Sequence, residues 1–154
     1  MLNDCFTHFG PKLAEKIECE NPCGFRDFIP QHEPVERLTF KPVNVVTVYR
    51  LIAKLNTSKA TGIDEISAKV LKSAAPAIEE PLTRTFNMSI VSDKFPAEWK
   101  VVRVTPSFKK VQRSMLNSYG PISISPVVSK LMERILNDQM FVSFYNYYTF
   151  RLYQ

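Results

Sequence analysis

The sequence predicts an α+β fold that is mainly helical and contains one short antiparallel hairpin. Most of the 154 residues show apolar positions at helical spacing, and one stretch alternates apolar and polar residues as a half-buried strand does. Eleven prolines stand against four glycines. Because proline interrupts regular structure, we expect the helices to be short.

Residues 1–39 read as an acidic, partly irregular lead-in segment, with seven Asp or Glu against four Lys or Arg. Its first apolar positions have helical spacing: Phe6, Phe9, Leu13 and Ile17. Cys19, Cys23 and His32 could suggest zinc. Their spacing matches no common structural site and a fourth ligand is missing, so loop cysteines are the favoured interpretation.

Residues 40–140 form the predicted main region, which begins with a helix between Phe40 and Asn56. We expect one side of that helix to be apolar: Val43, Val46, Tyr49, Leu51, Ile52 and Leu55. A tight loop follows from Lys59 to Asp64. From the residues alone this loop is a structural turn whose Asp64 caps the next element, since turn chemistry of this kind is common.

Two further helices are predicted before the hairpin. The first runs from Ser67 to Ala75 with Val70 and Leu71 inward, and Pro76 ends it. Pro81 fits the first turn of the second, whose expected face is Leu82, Thr85, Phe86, Ser89 and Ile90. Trp99 is expected to anchor packing rather than to stack on a base, since large aromatic residues mostly fill cores.

The hairpin is predicted from the alternation of apolar and polar residues along the chain. Val102, Val104, Pro106 and Phe108 share one parity, and Arg103, Thr105, Ser107 and Lys109 share the other. Ile122 and Ile124 indicate a second short strand, bracketed by Pro121 and Pro126, and the loop between the strands is basic.

A last helix is expected to open at Ser125-Pro126, a serine cap followed by a first-turn proline. Its apolar face is Val128, Leu131, Met132, Ile135 and Leu136. The pattern fails after Asn137, so residues 141–154 read as a divergent aromatic tail. The alternative is an extra helix that folds back on an exposed face. Left uncovered, such a tail favours aggregation.

The positive charge of the chain is concentrated around the hairpin. The net charge is +5, and between Glu98 and Glu133 there are six basic residues and no acidic one. A concentrated basic surface is typical of a protein with a polyanionic partner, although it can also be a solvated face. No apolar run approaches the ~18 residues that a membrane span needs, and three cysteines give no secreted disulfide framework. We therefore expect no membrane association and an intracellular location, cytoplasmic or nuclear.

Three blocks of sequence carry a family resemblance. They are KATGIDEIS at 59–67, FPAEWKVVRVTPSFKK at 95–110 and NSYGPISISPVVSKLMERIL at 117–136. In this order and spacing they resemble the fingers region of reverse transcriptases of non-LTR retrotransposons. The resemblance implies part of the fingers and palm of a right-hand polymerase. The parent activity would be RNA-templated DNA synthesis with magnesium.

The resemblance and the charge pattern together suggest residues that contact RNA or DNA, weakly and without sequence preference. These candidates are Lys59, Lys100, Arg103, Lys109, Lys110 and Arg113. The family's phosphate-binding lysine is matched by Lys109 or Lys110. The arginine that the family has before P-I-S is replaced by Gly120, and Val111 replaces a usual glycine, so the nucleotide contact of this loop should be weakened.

No catalytic residue is expected in this chain. The family holds its two metal ions with one aspartate after a strand and an adjacent aspartate pair. The aspartates here are Asp4, Asp27, Asp64, Asp93 and Asp138, and no two are adjacent. The family's palm motifs would begin beyond Gln154. We therefore expect a truncated, inactive fragment with no cofactor of its own. Its alternatives are an enzyme subunit completed by a palm-containing polypeptide, a nucleic-acid-binding module, and a translated remnant without function.

Overall fold

The computed structural model of the protein describes residues 2–15, 38–109 and 112–152. Within them lie the helices α1 (Leu2–Ala14), α2 (Val45–Ala53), α3 (Ala68–Ser92) and α4 (Val127–Leu152), with short 3-10 turns at Ala97–Lys100 and Leu116–Ser118. Strands β1 (Arg103–Phe108) and β2 (Tyr119–Ile124) pair as a two-stranded sheet. This confirms the predicted class, α+β and mainly helical with one hairpin.

The described residues fall into two compact units. The smaller unit contains α1 and residues 104–122, which include most of the hairpin. The larger unit contains residues 38–103 and 123–152, with α2, α3 and α4.

The core of the larger unit is built by three helices around Phe86, whose side chain is fully buried. The other buried members are Val48, Ile52, Ala75, Ile90, Leu131, Met132 and Ile135. Trp99 packs edge-on against Phe86, with the ring centroids 5.6 Å apart, and against Phe95 at 5.8 Å. The predicted role of Trp99 as a packing anchor is confirmed.

Helix α2 is capped by Asn44, whose side-chain oxygen accepts a hydrogen bond from the Thr47 amide at 2.8 Å. Val48 and Ile52, four residues apart, are its fully buried positions. The prediction that Val46 and Tyr49 share the buried side was wrong, since they are 55% and 45% exposed. Val46 lies about 200° around the helix from Val48, so it points away from the core.

Helix α3 is one continuous helix of 25 residues with both prolines inside it. The prediction of two helices separated at Pro76 was therefore wrong. Each proline removes one backbone hydrogen-bond donor. The helix is nevertheless buried on both sides of the two prolines, at Leu71 and Ala75 before them and at Phe86 and Ile90 after them. This burial on both sides of the prolines offsets the lost hydrogen bonds. Val70, expected inward, is 58% exposed.

Helix α4 begins at Val127, one residue after the predicted proline start. Leu131, Met132 and Ile135 are buried as predicted. The helix does not stop where the amphipathic pattern fails, and it continues through the aromatic segment to Leu152. Four apolar residues of that continuation are 53–72% exposed: Phe141, Val142, Phe144 and Tyr145.

Two amide side chains fix the segment before α2. Asn87 of α3 accepts from the Val43 amide at 2.8 Å and donates to the Val43 carbonyl at 2.9 Å. Gln139 of α4 likewise accepts from the Lys41 amide at 2.7 Å and donates to the Lys41 carbonyl at 2.9 Å. The backbone groups of residues 41 and 43 are therefore hydrogen-bonded by side-chain amides, in the way that a neighbouring strand would bond them in a sheet.

Two further sequence expectations concern a zinc site and a membrane span. Cys19, Cys23 and His32 lie outside the described residues. Over the described ranges, no helix combines the length and the apolar character that crossing a bilayer requires.

Candidate nucleic-acid interface

The hairpin closes through both backbone and side-chain bonds. The Lys109 amide donates to the Ser118 carbonyl at 2.8 Å, and the Tyr119 hydroxyl donates to the Arg113 carbonyl at 2.9 Å. The two predicted strands are confirmed, but the half-buried face is not. Val104 and Phe108 are 40% and 43% exposed, because a two-stranded ribbon alone covers little of either face.

The position of Pro121 also differs from the prediction. It lies inside β2 instead of before it. A proline is tolerated there because each strand of a two-stranded sheet has an open edge, where no backbone donor is needed.

An aromatic and cationic cluster, formed by Phe108, Arg113 and Tyr119, sits on the hairpin. The Arg113 guanidinium carbon lies 5.6 Å from the Phe108 ring centroid, within the range of a cation–π contact. The Phe108 and Tyr119 rings meet edge to face, with centroids 5.5 Å apart. The guanidinium is thus held beside the Phe108 ring at the surface, and no described carboxylate forms an ion pair with it.

The side chain of Lys109 lies across Gly120. A Cβ atom added to Gly120 would come 2.8 Å from Lys109 Nζ and would also meet the Cε methylene. The space beside residue 120 is therefore occupied by the lysine. Gly120 has no positive φ, so its small size matters here rather than its backbone freedom.

The loop from Lys59 to Asp64 belongs to the larger unit and is fixed at two points. Arg103 Nη2 donates to the Thr61 carbonyl at 2.6 Å. Gly62 is buried against the start of α4, and a Cβ there would lie 2.7 Å from the Pro126 Cα and nitrogen. Lys59 stands exposed on this anchored loop.

Asp64 has a turn role in this loop. Its Oδ1 accepts from the Ile66 amide at 3.3 Å, while Ser67 caps α3 by accepting from the Val70 amide. The turn interpretation of Asp64 therefore agrees with the geometry, although the cap itself is Ser67.

Comparison with known proteins gives the chain its relatives, although no family model matches it. It is 32% identical over 100 residues to the putative 115 kDa protein in type-1 retrotransposable element R1DM of Drosophila melanogaster, covering 64% of this chain and 10% of that protein. It is 30% identical over 105 residues to the probable RNA-directed DNA polymerase from transposon BS of the same organism, covering 67% and 12%. A third relative there, the RNA-directed DNA polymerase from mobile element jockey, is 29% identical over 103 residues, covering 64% and 11%. The chain is related to retrotransposon RNA-directed DNA polymerases.

The family resemblance carried by the three sequence blocks is thereby confirmed. The polymerase-related chain spans about a tenth of the length of these relatives. The comparison therefore concerns only a short segment of each relative.

The six candidate residues of the polymerase-related chain do not form one cluster within a unit. Lys59, Lys100 and Arg103 belong to the larger unit, and Lys109 and Arg113 to the smaller one. All five are exposed, while Lys110 lies outside the described residues. Their role in binding stays a prediction.

Sequence reasoning missed the partners of these cations. Phe108 was predicted only as a strand residue, Tyr119 was given no role, and Gly120 was noted only as the loss of an arginine. A usable signal was present, because an aromatic residue directly precedes the lysine pair and another directly precedes Gly120.

Within the part of the chain that the structure describes, the residues do not fit the magnesium that the resemblance implies for the complete enzyme. Among residues 2–15, 38–109 and 112–152, no three His, Cys, Asp or Glu side chains are grouped so that they could hold a metal ion. Two of the aspartates make contacts close to themselves in the sequence. Asp64 accepts a hydrogen bond from the Ile66 amide, and Asp138 forms an ion pair with Arg134 at 3.0 Å.

Proposed function

We propose that this chain forms a nucleic-acid-contacting segment of a non-LTR retrotransposon RNA-directed DNA polymerase, corresponding to the fingers of a right-hand polymerase. In this proposal the segment binds RNA or DNA through phosphate contacts and does not catalyse DNA synthesis by itself. The observation that carries it is the pair of exposed cations, Lys109 and Arg113, on a hairpin of a chain related to such polymerases.

The electrostatics of the hairpin support phosphate binding. Arg134 on α4 pairs with Asp138 at 3.0 Å, whereas Lys109 and Arg113 have no carboxylate partner among the described residues. A cation without an ion pair binds a phosphate without first losing a carboxylate contact. Binding of this kind releases counterions, so its affinity falls steeply with salt.

Absence of catalysis is proposed from the aspartates in the sequence. Two-metal nucleotidyl transfer needs carboxylates that converge on both ions, and the five aspartates are scattered with no adjacent pair. The proposal therefore assigns binding to this segment and chemistry to other residues of a complete enzyme. An intracellular location, cytoplasmic or nuclear, goes with this function.

A charge-reversal experiment tests the binding. The variant Lys109→Glu/Arg113→Glu is compared with Lys54→Glu/Lys69→Glu, which changes the net charge equally at exposed positions of the larger unit. Fluorescence anisotropy with a labelled oligonucleotide is measured across a salt series. The wild-type dissociation constant should lie near 10⁻⁴–10⁻⁶ M at physiological salt, and the hairpin variant should lose about 0.7–0.9 of the log–log salt slope per contact removed.

The control variant should retain the wild-type slope. An equal loss in both variants would mean that net charge alone drives the binding. An unchanged slope in the hairpin variant would exclude Lys109 and Arg113 as phosphate contacts.

A second candidate is a subunit completed by a palm-containing polypeptide. It is favoured by the exposed apolar residues of α4, among them Phe141 and Phe144 at 70% and 53% exposure, since large exposed apolar patches mark interaction surfaces. Mixing the chain with a polypeptide that carries an adjacent aspartate pair should then give magnesium-dependent, templated DNA synthesis that neither component gives alone. No synthesis by the mixture would contradict this candidate.

A further inference from the structure

Helix α3 carries a second apolar face, on the side away from the core. Val70, Met88 and Val91 are 58%, 66% and 75% exposed, and Met88 lies about 200° around the helix from the buried Phe86. They belong to an outer seam that repeats at alternate steps of four and three positions: Val70, Ala74, Ala77, Pro81, Arg84, Met88 and Val91. This spacing is typical of a helix that packs lengthwise against a second helix, and contiguous exposed apolar surface marks an interaction site.

The outer seam also carries a pair of opposite charges. Glu80 beside the seam and Arg84 on it are both exposed and stand four positions apart. Arg134 and Asp138 on α4 have the same separation and form an ion pair. Within the part of the chain that the structure describes, the side chains of Glu80 and Arg84 form neither an ion pair nor a hydrogen bond. Both charges are therefore open to a partner.

The positions of these two charges make the outer seam complementary to itself. In an antiparallel pair of α3 helices centred near Leu82, Glu80 of each copy lies opposite Arg84 of the other. A two-fold axis repeats this contact, so both charges of both copies are paired. The same register overlaps residues 72–92 of each helix, a length of roughly 30 Å. Charge pairing and nearly full overlap therefore favour one arrangement.

Side-chain size favours the same arrangement. The large residues of the outer seam, Met88 and Val91, lie in the second half of α3, and the first half offers Ser73 and Ala77. In the antiparallel register Met88 comes to face Ala77. Val91 comes to face Ser73, so that each large side chain meets a small one, as close packing requires. A parallel pair would instead place Arg84 against Arg84.

We propose that the outer seam of α3 binds the outer seam of a second copy of this chain, as an antiparallel, two-fold symmetric dimer. The reciprocal Glu80–Arg84 pairs fix its register. A single pair of helices buries less surface than the interfaces of stable complexes, so the dimer should be weak and should depend on concentration. The inference does not depend on nucleic-acid binding, and it uses a face that the proposed function leaves unassigned.

Sedimentation velocity of the whole chain, without nucleic acid, tests the dimer across a micromolar concentration series. The wild-type chain should shift from monomer to dimer as its concentration rises. Glu80→Arg places like charges opposite each other at both symmetric contacts, and so does Arg84→Glu. Each variant should raise the dissociation constant of the dimer at least about tenfold. Lys54→Glu and Glu98→Arg, at exposed positions of the larger unit, make matched charge changes and should leave it unchanged.

Mixing the two seam variants tests the register itself. A chain with Glu80→Arg has two positive charges at the seam, and a chain with Arg84→Glu has two negative ones. An equimolar mixture should therefore form a heterodimer at concentrations where each variant alone is monomeric. The double variant Glu80→Arg/Arg84→Glu exchanges the two charges within one chain, and it should restore self-association to within about threefold of the wild type.

The contradicting results are equally definite. A wild-type chain that stays monomeric, a dimer that neither single variant weakens, or single variants that do not rescue each other on mixing would each overturn the proposal. So would a dimer that persists in the seam variants and is lost in Phe144→Ser, since its interface would then lie on the aromatic turns of α4. Circular dichroism establishes that each variant is folded, and if one single variant does not fold, the double variant decides.

Discussion

The guanidinium of Arg103 donates a 2.6 Å hydrogen bond to the carbonyl oxygen of Thr61, a residue 42 positions earlier in the chain. This bond joins the first residue of β1 to the loop that carries Lys59. Arg103 was predicted to contact nucleic acid, and at least one of its donors is used within the protein. It therefore holds the position of a loop whose lysine faces solvent.

Removing this bond should loosen the loop without disrupting the core. Arg103→Met keeps an unbranched side chain but loses the donor, so we expect the free energy of unfolding to fall by about 1 kcal/mol. Hydrogen exchange at the amides of residues 59–64 should accelerate. Lys100→Met, which loses the same charge at another exposed position, is the control. Equal exchange rates in the two variants would show that Arg103 does not hold the loop.

The contact between Gly62 and the start of α4 leaves no room for a methyl group. A Cβ at residue 62 would lie 2.7 Å from backbone atoms of Pro126, which cannot rotate away. Gly62→Ala should therefore cost about 1–3 kcal/mol of unfolding free energy, measured by urea denaturation. Gly10→Ala is the comparison, because Gly10 lies in α1 with nothing within 4 Å of its added Cβ, and it should stabilise α1 by about 0.5–1 kcal/mol. A loss at position 10 as large as at position 62 would contradict the steric argument.

The amide of Asn87 both accepts from and donates to Val43. Asn87→Asp keeps the size and the acceptor but loses the donor, and places a carboxylate beside the Val43 carbonyl. We expect a cost of about 1–3 kcal/mol, since these bonds are partly buried. The same change at Gln139, whose bonds to Lys41 are exposed, should cost less because water can replace the lost partner. Thermal melts of the two variants at neutral pH compare them, and a larger loss for Gln139→Glu would refute this account.

Restoring a side chain at residue 120 should be tolerated. The atoms it would meet are the terminal atoms of the Lys109 side chain, which can rotate to another rotamer at little cost. Gly120→Arg should therefore fold with nearly unchanged melting temperature and add one phosphate contact, raising the salt slope for single strands by about 0.7. Gly120→Ala separates the two effects, because it displaces Lys109 without adding charge. An unfolded Gly120→Arg chain, or one with an unchanged slope, would show that this position is not open to a functional arginine.

The parts of the fold that could be predicted are those encoded in local periodicity. The buried face of α4 and the two strands follow from spacing that the sequence displays directly. Helix α3 was misjudged because Pro76 and Pro81 are strong local signals, whereas the burial that keeps the helix continuous comes from α2 and α4. The predicted division at residues 39 and 140 stays a prediction.

The candidate site was predictable in its charges and not in its contacts. The basic residues are visible as a run without acids. The placement of Arg113 against Phe108 depends on how the loop returns, and the bond from Arg103 to Thr61 spans 42 residues. Such pairings have no periodic signature in the sequence.

The uninterrupted course of α4 makes it a rod. Twenty-six helical residues at 1.5 Å each span about 39 Å. The helix begins directly after Ser125 and Pro126, which pack against Gly62. Phe141 and Tyr145 are exposed in its later turns. A small tilt of this rod about the core is magnified at its aromatic turns. A partner bound at those turns would therefore contact the same helix whose start packs against Gly62.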